Sequence, residues 1–169
     1  MKIDLRMCDL DGGVYRHQKS LLSLLRRMTG VSLLMAEVGV FAGATSEYLL
    51  ANEPRLRLHM IDPWRAAEPD STYAKSGDRV ATLTQDQMDA LARQATERTA
   101  FAEDRRWIHP ATSLATAEWM VGPFDLVFID AEHTYEGASA DIAAWWPKVR
   151  PGGILAGHDY NHRRYPGVT

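Results

Sequence analysis

Between Phe124 and Gly137 the sequence reads FDLVFIDAEHTYEG, an apolar run that passes straight into Asp130, Glu132, His133, Tyr135 and Glu136. A strand that only had to end could do so on Gly, Asn or Pro. An imidazole among carboxylates is the group that moves protons near neutral pH, which makes His133, and after it Glu132, candidates for general-base work. Upstream, EVGVFAGATS sets Glu37, Gly39 and Gly43 around a turn, and HMIDPW ends another apolar run on Asp62. Glycines there let the backbone approach a ligand and take positive φ. A carboxylate roughly twenty residues further on, at the end of the next strand, is placed to accept both hydroxyls of a ribose, the nucleoside-binding arrangement of doubly wound folds.

The turn also discriminates among nucleosides. A nicotinamide dinucleotide needs G-x-G-x-x-G, so that its pyrophosphate can lie against the backbone and the helix N-terminus. Here the pattern is G-V-F-A-G, and Phe41 stands where the middle glycine is expected. Its ring crowds a pyrophosphate, and Glu37 opposes a dianionic ligand while suiting a cationic one. S-adenosylmethionine carries a sulfonium and an ammonium and no phosphate.

The elements that must position these residues follow from periodicity. From Arg16, RHQKSLLSLLRRM sets Leu21, Leu22, Leu24, Leu25 and Met28 at helical spacing, with Gly30 as the stop. SLLMAEVGV reads as a buried strand, GATSEYLLAN as a helix start and RLHMID as a second strand. Residues 65–82, with Pro69 and Gly77, read as a loop or irregular lid. TQDQMDALARQATERTAFAE is a helix with Met88, Leu91, Ala92, Ala95 and Thr99 on one side. Then come RRWIHP as strand, ATSLATAEWM as helix, FDLVFIDA as strand, YEGASADIAAWWPKV as helix and GGILAGHDY as a final strand. Trp145 and Trp146 are expected to face the sheet as core. Such alternation, with non-alternating apolar strands, predicts an α/β, Rossmann-like, doubly wound and mostly parallel sheet with helices on both faces. Ligands then sit at the carboxyl ends of the strands. Residues 1–30 form an N-terminal helical segment and residues 31–169 the cofactor-binding domain.

At 169 residues and 46% hydrophobic, the chain fits one domain with a sizeable core. A formal net charge of -3 argues against nucleic acid or an anionic membrane as partner. No apolar run reaches the roughly 18 residues needed to cross a bilayer. The lone Cys8 excludes an intramolecular disulfide, and no signal-like segment opens the chain, so a cytoplasmic location is expected.

The stretches EVGVFAGATS, HMIDPW, the ATS serine and FDLVFIDAEHTYEGASADIAAWWPKVRPGGILAGHDY together resemble a class I S-adenosylmethionine-dependent methyltransferase of the family-24 type, similar to macrocin-type sugar O-methyltransferases. The resemblance spans roughly residues 33–160. It implies that Glu37, Gly39 and Gly43 border the methionine part of the cofactor, that Asp62 holds the ribose, that Trp64 and Ser113 lie near the adenine, and that Asp130 faces the reacting centre. It implies also a divalent cation on an acid after the fourth strand and two adjacent residues after the fifth, here Asp130, His158 and Asp159. Carboxylate oxygens suit Mg2+, and the imidazole of His158, which stands where relatives often carry an acid or amide, shifts preference towards Mn2+, Fe2+ or Zn2+. A cation on a sugar or phenol hydroxyl lowers its pKa and fixes its direction. The methyl acceptor is then a small molecule.

The same residues also admit plainer roles. Asp130 can cap the helix that begins near Tyr135, Glu132 and Glu136 can favour that helix's positive end, and His158 and Asp159 can be turn residues. His17, His59, His109 and His162 read as structural or solvated, and Arg163 and Arg164 as a solvated pair. A nicotinamide-dependent reductase lacks its third glycine and its Tyr-x-x-x-Lys. The family fold continues with two strands beyond the fifth, so a truncated or non-catalytic cofactor-binding domain, or a subunit completed by another copy as a homo-oligomer, stays open.

Overall fold

The computed structural model describes residues 10–11 and 14–159. Cys8, Tyr160, His162, Arg163 and Arg164 lie outside the described residues. Two short strands, β1 (Leu10–Asp11) and β2 (Val14–Tyr15), pair antiparallel and lead into helix α1 (Arg16–Arg27). The chain then alternates: β3 (Leu33–Val38), α2 (Ala44–Asn52), β4 (Leu56–Ile61), a long connection, α3 (Gln85–Arg98), β5 (Arg106–His109), α4 (Ser113–Trp119), β6 (Phe124–Ile129), α5 (Tyr135–Trp145) and β7 (Val149–Gly157). The five longer strands form one sheet in the order β5-β4-β3-β6-β7, and every pair is parallel. This is the doubly wound arrangement that the sequence predicts. No described helix is long and apolar enough to cross a membrane.

The central strands β3 and β6 bury both faces, which is why they read as unbroken apolar runs, while the edge strands β5 and β7 are only partly buried. Met35, Leu126 and Phe128 pack with Leu21, Leu22 and Leu25 of α1, Leu49 and Leu50 of α2 and Leu91 of α3. Ala36, Val38 and Val127 pack on the opposite side with Ala117 of α4 and Trp145 of α5. Trp146 departs from the expected core role and is 61% exposed. One residue along a helix turns the side chain by about 100°, so two adjacent tryptophans cannot both face the sheet.

Strand order reverses between β3 and β6, and the register brings their ends level. Val38 lies beside both Ile61 and Ile129, and Ile129 lies beside Gly157. The ladders run one residue past the strands: the amide of Gly39 donates to Ile61, that of Asp130 to Val38 and that of His158 to Ile129, at 2.9, 2.7 and 3.0 Å. Gly39, Asp62, Asp130 and His158 therefore emerge on one rim.

Gly43 precedes α2 with φ 75, and a Cβ there would stand 2.8 Å from the Cα of Ala95 in α3. Its missing side chain lets α2 and α3 approach each other. Gly77 has a similar φ of 80 but open space around it. Gly77→Ala is therefore expected to cost about 1 kcal/mol, the backbone penalty alone, and Gly43→Ala about 2–4 kcal/mol, with overpacking added. Urea denaturation of the two variants checks this, and equal losses would overturn the packing role of Gly43.

Candidate active site

The carboxylate of Asp62 organises the first half of the rim. Its Oδ2 accepts the amides of Val40 and Phe41 at 3.0 and 2.9 Å, and its Oδ1 accepts the amide of Trp64 at 2.8 Å. Phe41 and Trp64 both have positive φ, 52 and 41, which costs a bulky residue about 1–2 kcal/mol each. These hydrogen bonds, with a fourth from Trp64 Nε1 to the Phe41 carbonyl at 2.8 Å, offset that strain. Burial raises the pKa of Asp62, while the amides of Phe41, Trp64 and Val40 pull it back down.

A cavity of about 540 Å3 opens above this rim, walled by Gly39, Phe41, Asp62, Ser113, Asp130 and His133 among others. That is ample for a small organic ligand. Gly39 is where the ends of β3 and β6 touch, since a Cβ on it would lie 2.0 Å from the Asp130 carbonyl oxygen. Ser113 opens α4, and its Oγ accepts the indole N–H of the buried Trp145 at 2.8 Å. Trp64 and Gly43 do not form part of this wall: the Trp64 ring lies in the larger core, 4% exposed, and Gly43 faces α3. Glu37 also sits beneath the wall, accepting a hydrogen bond from the Ser46 hydroxyl. Burial pushes its pKa up to about 8.

At the other side of the cavity three loops meet on one imidazole. His133 Nδ1 lies 2.7 Å from Asp78 Oδ2, and its Nε2 lies 3.0 Å from Asp159 and 3.5 Å from Asp130. Asp130, His133 and Asp159 each bring one ligand atom within 4.8 Å of the others, a spacing that suits a cation. His158 Nδ1 stands alongside, 3.5 Å from Asp130 and 3.2 Å from Asp159. Burial opposes charge on His133, but hydrogen bonds with Asp130, Asp159 and Asp78 outweigh it and push its pKa up to about 12. Hydrogen bonds with Asp130 and Asp159 likewise push His158 up to about 10. In return, although burial favours their neutral forms, the two imidazoles hold Asp130 and Asp159 below the usual carboxylate range.

The sequence-predicted residues thus separate into groups. Asp130, His133, His158 and Asp159 converge, and Asp62, Ser113 and Gly39 share the cavity with two of them. Glu132 lines the cavity but turns away from the cluster, accepting the Thr134 hydroxyl at 2.5 Å. Thr134, not Asp130, caps α5, its hydroxyl accepting the Gly137 amide at 3.0 Å. Asp78 was not singled out in the sequence, since an aspartate in a polar loop has no local mark. His17, expected to be structural or solvated, stands edge-on to His158 with ring centroids 4.5 Å apart.

The family described as a methyltransferase domain matches residues 36–160. The chain belongs to this methyltransferase family. No curated protein sequence matches it. Among solved structures, the calicheamicin methyltransferase CalS11 superposes with a TM-score of 0.62 at 20% identity, covering 92% of this chain and 70% of that one. A Staphylococcus aureus protein assigned as a caffeoyl-CoA O-methyltransferase gives 0.61 at 14% identity, covering 85% and 57%. The Podospora anserina methyltransferase PaMTH1, bound to S-adenosylhomocysteine, gives 0.58 at 15% identity, covering 87% and 54%. At these identities the likeness is one of fold, and this methyltransferase chain spans little more than half the length of the last two.

The charge state of Glu37 yields a prediction. Its carboxyl titrates near 4.5 when free and near 8 in the fold, so between those values the folded state keeps a proton that the unfolded chain has lost. The stability this gives is full below pH 4.5 and drains away as pH rises through 8. Glu37→Gln is therefore expected to gain on the wild type from pH 5 to pH 8, by at most about 1.4 kcal/mol per unit. Urea titrations across that range measure it, and a constant difference would mean that Glu37 is ionised throughout.

Proposed function

We propose that the chain is an S-adenosylmethionine-dependent O-methyltransferase acting on a hydroxyl of a small molecule, of the sugar or polyketide kind, with help from a divalent cation. One observation carries this reading: a single cavity across the strand-order reversal joins the Asp62 knot to Asp130 and His133. The family membership supports the reaction class, and the S-adenosylhomocysteine held by PaMTH1 supports the cofactor.

In the proposed reaction the acceptor oxygen attacks the sulfonium methyl in line, the carbon–sulfur bond breaks, S-adenosylhomocysteine leaves and the hydroxyl proton passes to a base. Gly39, Asp62 and Ser113 line the cofactor side of the cavity, with Asp62 offering its remaining acceptor sites to the ribose. Asp130, Asp159 and one of the two imidazoles would hold the cation, whose part is to lower the pKa of the acceptor hydroxyl. Asp78 accepts Nδ1–H of His133 and so turns Nε2 towards the cluster. Hydrogen bonds with Asp130, Asp159 and Asp78 favour the imidazolium form of His133. With that positive charge supplied instead by a cation facing Asp130 and Asp159, Nε2 loses its proton and is able to accept one from the acceptor hydroxyl. His158 is then the ligand and His133 the base.

Calorimetry with S-adenosylmethionine and, separately, NADH tests the cofactor. Binding of the first alone is expected, and binding of NADH alone would replace this reading with the reductase. For the cation, Asp130→Asn combined with Asp159→Asn is expected to weaken divalent-ion binding about 100-fold, because two ligand charges are lost. Tryptophan fluorescence during Mg2+ and Mn2+ titration reads it. Equal titration of parent and variant, or none in the parent, would leave His133 to work without a metal, with turnover surviving EDTA.

A further inference from the structure

The imidazole of His158 stands beside the two acids without being fixed by them. Its Nδ1 lies 3.5 Å from Asp130 and 3.2 Å from Asp159, at and beyond the upper end of hydrogen-bond lengths. The χ2 torsion of a histidine is broad, so contacts of this length do not set the plane of the ring. Packing does. The ring of His17 lies edge-on to that of His158, with centroids 4.5 Å and planes 68° apart, and Phe128 meets the same ring at 6.5 Å and 72°. His17 is itself held from several sides. It stacks on Phe128 at 5.9 Å and on Tyr15 at 5.5 Å, with planes 17° and 13° apart, and its Nε2 is 3.0 Å from the hydroxyl oxygen of Thr45. That hydroxyl, in the first turn of α2, also meets Gln18 Nε2 at 3.4 Å, so two adjacent residues of α1 grip one buried anchor. Phe128, 2% exposed, belongs to β6, the strand that delivers Asp130. The start of α1 is thereby keyed to the rim through one ring.

We propose that His17 is a positioning residue for the cation site: it fixes the plane of the His158 ring, so that Nδ1 faces Asp130 and Asp159 and the site favours ions that accept an imidazole nitrogen. This rests on the reading that Asp130, Asp159 and His158 hold a cation. Packing sets the plane, and the acids then choose the edge, because Nδ1–H can donate to a carboxylate and the carbon on the other edge is a far poorer partner. Groups that orient a ligand in this way govern affinity without touching the ion. Mg2+ is satisfied by carboxylate oxygen and water, whereas Mn2+ also takes imidazole. Removing His17 therefore costs Mn2+ more than Mg2+. A residue that served only to anchor α1 would affect both ions alike.

Calorimetry of the full chain with Mn2+ and, separately, with Mg2+ tests this on the parent, on His17→Ala and on His17→Phe. In His17→Ala the affinity for Mn2+ is expected to fall about tenfold and that for Mg2+ about twofold or less. His17→Phe keeps a flat ring against Phe128 and His158, and both affinities are expected to stay within about threefold of the parent. An unmoved ratio of the two affinities in His17→Ala overturns the proposal. So does a fall in His17→Phe as large as in His17→Ala, since the nitrogen of His17 and not its packing would then be what counts. If His17→Ala does not fold, His158→Ala decides: the same selective fall for Mn2+ is expected, and an unmoved ratio there overturns the proposal. Binding of neither ion by the parent would instead bring down the cation reading on which the proposal stands.

Discussion

The site depends on one buried carboxylate that accepts three backbone amides. Asp62 draws Val40 and Phe41 from the turn after β3 and Trp64 from its own loop onto two oxygens. Without it two bulky residues would have no reason to stay at positive φ. With it, the turn after β3 is held open at Gly39, whose bare Cα lets β6 bring Asp130 to the same rim. The floor of the cavity is therefore set by backbone geometry, and the side chains that do chemistry are placed on top of it.

A second constraint is charge balance. Asp78, Asp130 and Asp159 come from three different loops, and the imidazoles of His133 and His158 meet them from the middle and the side, so that up to two of the three negative charges are balanced. His133 touches all three acids, so its charge and its orientation are fixed together. Asp159 pays for its place with a left-handed backbone, φ 56, as Phe41 and Trp64 do. Among the described residues these are the non-glycine positions with positive φ, and all three follow the carboxyl ends of strands that border the site. Strain concentrated in this way accords with a rim whose conformation is held by its contacts rather than by local preference.

Much of this was legible in the sequence because it is local. Apolar runs that ended on Gly39, Asp62, Asp130 and His158 marked the strands and their rim, and the alternation with helical segments gave the doubly wound sheet. What escaped depends on contacts between distant segments. Gly43 reads like a ligand-facing glycine, yet its neighbour is Ala95, remote in sequence. Asp62 reads as a ribose acceptor, and nothing local announces the three amides that it also carries. Asp78 sits in an aperiodic loop, and only the folded chain brings it to His133.

The connection between β4 and α3 is fastened to the site at both ends. Its first residues are tied down through Trp64, and its later part through Asp78, which is 2% exposed and holds His133. Lengthening a loop between two fixed anchors adds little closure entropy, about 0.6 kcal/mol for a doubling. A change of length within residues 65–77 therefore costs the Asp62 knot and the imidazole little in closure entropy. Tyr73 and Arg65 of this stretch face the cavity, so such changes would reshape the wall seen by an incoming molecule. The fold thus keeps the floor of the site, set by backbone geometry, apart from the roof that residues 65–77 contribute, so the two can be altered separately.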